Sequence, residues 1–122
     1  MPHSRELYIG LMSGTSMDAI DGVLVDFSNK NSSQQPSIIA HSSLEISADT
    51  KQDIISLCQP GHDEINRAGT LDIKLGKLFA KTANQLIDLA SISSADIKAI
   101  GSHGQTIRHM PNTKPAFTLQ IG

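Results

Sequence analysis

Apolar and polar positions change rhythm several times along this chain, and each change marks an element. Leu7–Leu11 reads as a first strand, and Val23, Leu24, Val25 and Phe27 form a second, β-branched-rich run. Between them lie Ser13, Gly14, Thr15 and Ser16, small and hydroxyl residues suited to a tight turn, followed by Asp18 and Asp21. Asn29–Pro36 is polar and reads as an exposed loop, and Ser37–Ile46 suits a third strand with partly alternating faces. A helix is predicted from about Thr50 to Gln59, capped by Ser47 or Asp49 and ended by Pro60-Gly61.

A second, long helix is predicted from Asp63 to about Leu89. Ile65, Ala68, Leu71 or Asp72, Leu75, Leu78, Phe79, Ala83, Leu86, Ile87 and Ala90 follow its three-four spacing. Gly69 and Gly76 share one face of it and suggest close packing on a neighbour, at a cost of about 1 kcal/mol each. Ile97–Ser102 is predicted to be a short buried strand entered by a crossover, Arg108–Pro115 a loop, and Ala116–Ile121 a last strand. Three strands, two helices and further strands make an α/β chain with a mixed sheet, an amino-terminal β-meander and crossing helices.

Composition narrows the function. With 122 residues there is room for one domain or part of a larger one, and 10 basic against 12 acidic residues give a net charge of −2. No basic stripe points to nucleic acid, and three Phe, one Tyr and no Trp make a poor platform for stacking bases. One cysteine, Cys58, excludes an internal disulfide and fits a reducing cytoplasm; its place on an apolar helix face makes it core filling. The first six residues do not have the form of a signal peptide, and no apolar stretch is long enough to span a bilayer. His103 and His109, six apart with no acid or thiol beside them, suit no familiar zinc spacing.

Two stretches carry chemistry. In the first turn, glycine permits close backbone approach, while hydroxyls and freed N–H groups suit phosphate oxygens. Being a turn between strands, it differs from a P-loop, and Gly-x-x-x-x-Gly-Lys is absent. The second stretch, Ser102-His103-Gly104-Gln105-Thr106, follows the carboxyl end of a predicted strand, where open sheets bind ligands.

Gly10-Leu11-Met12-Ser13-Gly14-Thr15-Ser16-Met17-Asp18 resembles the opening of the anhydro-N-acetylmuramic acid kinases, bacterial sugar kinases of the actin/hexokinase/heat-shock-70 ATPase superfamily. Ala99–His109 and Thr118-Leu119-Gln120-Ile121-Gly122 match further blocks of that family in its order. The resemblance implies that 1–122 is the amino-terminal portion of the first actin-like (ribonuclease H-like) ATPase domain, since family members are much longer. It implies that Gly14, Thr15, Ser16, Met17, Asp18, Ala19, Ile20 and Asp21 line the phosphates of ATP with Mg²⁺. Gly104, Gln105 and Thr106 would then lie near the sugar.

The implied reaction opens the 1,6-anhydro bond of anhydro-N-acetylmuramic acid with water while ATP phosphorylates O6. This gives N-acetylmuramic acid 6-phosphate in cell-wall sugar recycling. The family's general-base aspartate lies beyond Gly122, so no catalytic residue is assigned here, and metal ligands stay unassigned. The expected partner is a small amino sugar, without nucleic acid or membrane, in a cytoplasmic protein that the family suggests is a homodimer.

Two departures from the pattern set expectations. Many superfamily members have an aspartate just before the turn where this chain has Met12-Ser13, and the family's usual Asp-Gly is here Asp18-Ala19. Alanine at 19 requires a backbone without positive φ. Other readings are a superfamily kinase for another small molecule, or a non-catalytic ATP-binding or interaction module.

Overall fold

The computed structural model describes residues 5–14, 16–28 and 35–122. β1 (Leu7–Ser13) and β2 (Ala19–Asp26) form an antiparallel hairpin, and β3 (Ser37–Glu45) extends it as a meander. α1 (Ala48–Leu57) and α2 (Glu64–Leu89) then lead to β4 (Ile97–Ser102), which returns parallel to β1. The sheet order is β3-β2-β1-β4. β5 (Gln105–Met110) and β6 (Phe117–Ile121) form a separate two-stranded ribbon. The mixed sheet, meander and crossover helices agree with the predicted α/β class.

Alternation along the hairpin sends Leu7, Ile9 and Leu11 of β1, and Ile20 and Leu24 of β2, to one buried face. Against this face α2 lays Leu71, Leu75, Phe79, Ala83 and Leu86. Gly22 makes the close approach possible. A Cβ at this position would lie 2.9 Å from both Leu86 Cδ1 and Thr82 Cγ2 and 3.0 Å from Leu11 Cδ2. Thr82, fully buried and unexpected in a core stripe, returns its hydroxyl to the Leu78 carbonyl at 3.0 Å.

Several expectations need correction. Strand β2 starts at Ala19 rather than Val23, because its ladder continues through Met12↔Asp21 and Ser13↔Ile20 to the end of β1. Ile65 is 88% exposed: in the first turn of α2 the inward position belongs to Glu64, which pairs with Arg108. Gly69 packs on no neighbour among the described residues, with nothing beyond its own stretch of helix within 4 Å of where its Cβ would stand, and Gly76 makes only an ordinary contact. β4 is exposed from Lys98 to Ser102, an edge strand paired with β1 alone among the described residues. Arg108, His109 and Met110 are strand, paired with Leu119, Thr118 and Phe117, rather than loop.

Helix α1 is capped by Ser47, whose Oγ accepts from the Thr50 N–H at 3.2 Å. Cys58 packs against the core and donates its thiol to the Ile54 carbonyl, as a filler would. In the ribbon the pairing skips Ile107, and this bulged residue is turned into the core. Arg108 donates Nε–H to the Leu57 carbonyl at the end of α1 and pairs with Glu64, so the ribbon is fastened where the two helices meet.

Substituting Gly22 by valine should cost about 1–3 kcal/mol through overpacking. Urea unfolding measures it; an unchanged midpoint would show that Leu86, Thr82 and Leu11 have room to give.

Candidate functional site

Hydrogen-bond register brings the two suspected stretches together. β1 and β4 run parallel, so both carboxyl ends lie on one edge of the sheet, and the His103 N–H donates to the Leu11 carbonyl at 3.0 Å. One step further, Ser13 Oγ donates to Gln105 Oε1, and both residues are buried. The same amide donates through Nε2 to the Thr106 carbonyl at 3.0 Å. Gln105 therefore has both ends of its side chain engaged and joins the ribbon to the hairpin.

The turn itself runs from Gly14 to Asp18. Gly14 is half-buried, and apart from its chain neighbours the nearest side-chain atom to its Cβ position among the described residues is Ser16 Oγ at 4.0 Å, which leaves the backbone open to close approach from that side. Met17 takes the positive φ of the turn, 58°, and donates its N–H to the Gly14 carbonyl at 3.1 Å. That amide is spent inside the turn. Ala19 opens β2 without positive φ, which is the condition an alanine there required. Thr15 lies outside the described residues.

Ser16 and Asp18 are exposed on the turn, while Ile20 is wholly buried in the core face and Asp21 lies exposed in β2 opposite Met12. Asp18 is held twice. Its carbonyl accepts the Ile46 N–H at 2.8 Å, and its carboxylate meets Lys51 Nζ at 2.6 Å. The Lys51 hydrogen bond and charge, with a smaller contribution from Ser16, hold the Asp18 carboxyl below the usual aspartate range.

Lys51 was missed by sequence reasoning, although a lysine one turn into a helix, near its positive end, is a signal that something else holds it there. Ser13 was seen only as a turn residue.

At the second stretch, Gly104 has φ 71°, and a Cβ there would lie 2.9 Å from the Ile121 carbonyl oxygen, so backbone geometry demands glycine. Thr106 is half-buried, with its hydroxyl 3.4 Å from Gln120 Nε2. That same amide nitrogen lies 3.2 Å from His103 Nε2. His109 Nδ1 meets Thr118 Oγ1 at 2.8 Å across the ribbon. Among the described residues no three His, Cys, Asp or Glu side chains converge as a metal site. A cleft of about 330 Å³ between α1 and α2, with Asp53, Arg67 and Lys74 in its wall, includes none of the turn residues.

The family model for anhydro-N-acetylmuramic acid kinase matches residues 6–122. The chain belongs to this family. A kinase of that name from Shewanella pealeana is 54% identical over 119 residues, covering 98% of this chain and 31% of its own length. Those from Shewanella frigidimarina and Shewanella amazonensis are 53% and 50% identical, over 96% and 98% of this chain. The chain thus spans about a third of the curated relatives it matches. Both suspected stretches lie inside the matched region, and no described helix is long and apolar enough to cross a membrane.

Two outcomes test this geometry. Gln105→Leu leaves the Ser13 hydroxyl buried without its acceptor and should cost about 1–3 kcal/mol, most of it recovered when Ser13→Ala is added. Additive losses in urea unfolding would contradict a direct bond. For Asp18, the depressed folded value means that its pairing contributes stability above the unfolded carboxylate range, near pH ~3.9, and loses it as pH falls through the folded value. Lys51→Met should raise the Asp18 midpoint toward the ordinary value in a carboxyl NMR titration; no movement would contradict the pairing.

Proposed function

We propose that this chain is the amino-terminal portion of the first actin-like domain of an ATP-dependent anhydro-N-acetylmuramic acid kinase. Its reaction adds water across the 1,6-anhydro bond and transfers a phosphoryl group from MgATP to O6, yielding N-acetylmuramic acid 6-phosphate for cell-wall sugar recycling. Kinship over nearly the whole chain supports the substrate. The observation that carries the assignment is the Ser13–Gln105 bond, which sets an approachable glycine turn beside the second family block.

In this reading Gly14–Asp21 is the phosphate segment, with different tasks along it. The backbone at Gly14 and Ser16 faces the phosphates, with the Ser16 hydroxyl adding a donor; Thr15 joins the segment by the family resemblance. Met17 supplies the bend, Asp18 secures it, and Ala19, Ile20 and Asp21 carry the turn into the sheet. Phosphoryl transfer depends largely on holding phosphates still and offsetting their charge, which a fixed row of donors does without reorganising. Mg²⁺ arrives with the nucleotide as part of the substrate.

Gly104, Gln105 and Thr106 form the sugar rim. Gln105 holds that rim to the turn, and the Thr106 hydroxyl offers a neutral partner for sugar hydroxyl or acetamido groups. The general base belongs to the region of the family beyond residue 122. The setting is cytoplasmic, and the assembly a homodimer.

The decisive assay follows anhydro-sugar-dependent ADP release by an enzyme of family length carrying this sequence at its amino terminus. ADP formation only with another acceptor would refute the substrate, and none with any acceptor would refute the kinase. In the same enzyme Gly14→Val should raise the ATP KM at least about tenfold or abolish turnover, because a side chain would fill the approach to the backbone. Unchanged kinetics would refute the cradle. Residues 1–122 alone should show no turnover.

A further inference from the structure

Lys51 stands on α1, outside both family blocks, yet its ammonium lies at the rim of the turn, 2.6 Å from Asp18 Oδ1. Both side chains are open to water, 38% and 64% exposed, and an ion pair so exposed contributes little to stability. A lysine near the amino end of a helix is disfavoured by the helix dipole. The placement therefore calls for a purpose other than holding the fold.

Charge supplies one. From Gly14 to Asp21 the segment carries two carboxylates and no cation, so a polyphosphate drawn to its amides would meet like charge. Lys51 brings the missing positive charge to that point. An ammonium has three donors, and among the described residues Asp18 engages one of them.

Its helix is fixed to the turn independently of the ion pair. The Ile46 N–H is bonded to the Asp18 carbonyl, and Ser47, the next residue, caps α1. The start of α1 is thus fixed beside the turn by a backbone bond and a cap, and the ammonium is held at its rim by the Asp18 carboxylate.

We propose that Lys51 is a phosphate ligand of this site, with Asp18 as the positioning residue that holds its ammonium toward the incoming nucleotide tail. The proposal rests on the kinase reading and deepens it. Lysine suits the task, being a compact point charge whose donors can turn toward whichever phosphate oxygen arrives.

The test is calorimetric titration of the family-length enzyme with MgATP and with AMP. Lys51→Met should weaken ATP about tenfold, the size expected for losing one charge-assisted hydrogen bond, and leave AMP within about twofold. Lys51→Arg should retain most of the ATP affinity. Asp18→Asn should weaken ATP less than Lys51→Met does and add nothing in the double variant. Lys51→Gln replaces Lys51→Met if the latter does not fold.

Equal losses for ATP and AMP, or no loss for either, would overturn the assignment to Lys51 while the kinase stands. A parent enzyme that binds neither nucleotide overturns the kinase reading itself.

Discussion

A single buried contact between a serine hydroxyl and a glutamine amide holds together residues 92 positions apart, and the arrangement of the candidate site depends on it. Ser13 ends β1 and Gln105 begins β5, so the bond closes the seam between the main sheet and the ribbon. Burial gives it consequence, because a polar group withdrawn from water must find a partner or destabilise its surroundings by more than the bond is worth. The second amide end, bonded to the Thr106 carbonyl, leaves the glutamine one orientation. The parallel pairing of β1 with β4 brings the seam within reach, and Gly104 turns the chain across it with positive φ.

From that seam the rest of the molecule can be followed outward. Ile107 bulges from the ribbon into the core, and Arg108 ties the same strand to the end of α1 and the start of α2. α2 sits close on the hairpin because Gly22 has no side chain. α1 reaches back to the turn through Lys51, and the backbone entering α1 reaches it through Ile46. The turn is therefore gripped from both sides by elements distant in sequence, although it is itself only a few residues long. Such preorganisation is what a phosphate-handling turn needs, since donors already in place need not be ordered when the charge arrives.

Much of the fold was legible because periodicity speaks clearly in long elements. The stripe of α2 from Leu71 to Leu86 and the alternation of β1 report their burial directly. Failures came where an inward position was not apolar or an apolar one not inward. Thr82 is buried because it can bond its own helix, and Ile65 is exposed because an ion pair occupies the inner side of that turn. β4 has the composition of a central strand but, among the described residues, pairs with β1 alone.

At the site, the glycine turn and the second family block were visible as local patterns. The partnership of Ser13 with Gln105 and of Asp18 with Lys51 was not, because such bonds join residues that only the topology makes neighbours. The meaning of Gly22, the nearness of a helix, was likewise set by topology.

The central claim is that the bend after β1 receives the phosphates of a nucleotide, and backbone amide NMR during a MgATP titration of the family-length enzyme examines it most directly. The account predicts that the Gly14 and Ser16 amides shift furthest and saturate together, with Met17 following less because its N–H is already bonded to Gly14. Saturable binding that leaves those amides unmoved while shifts gather elsewhere would contradict it.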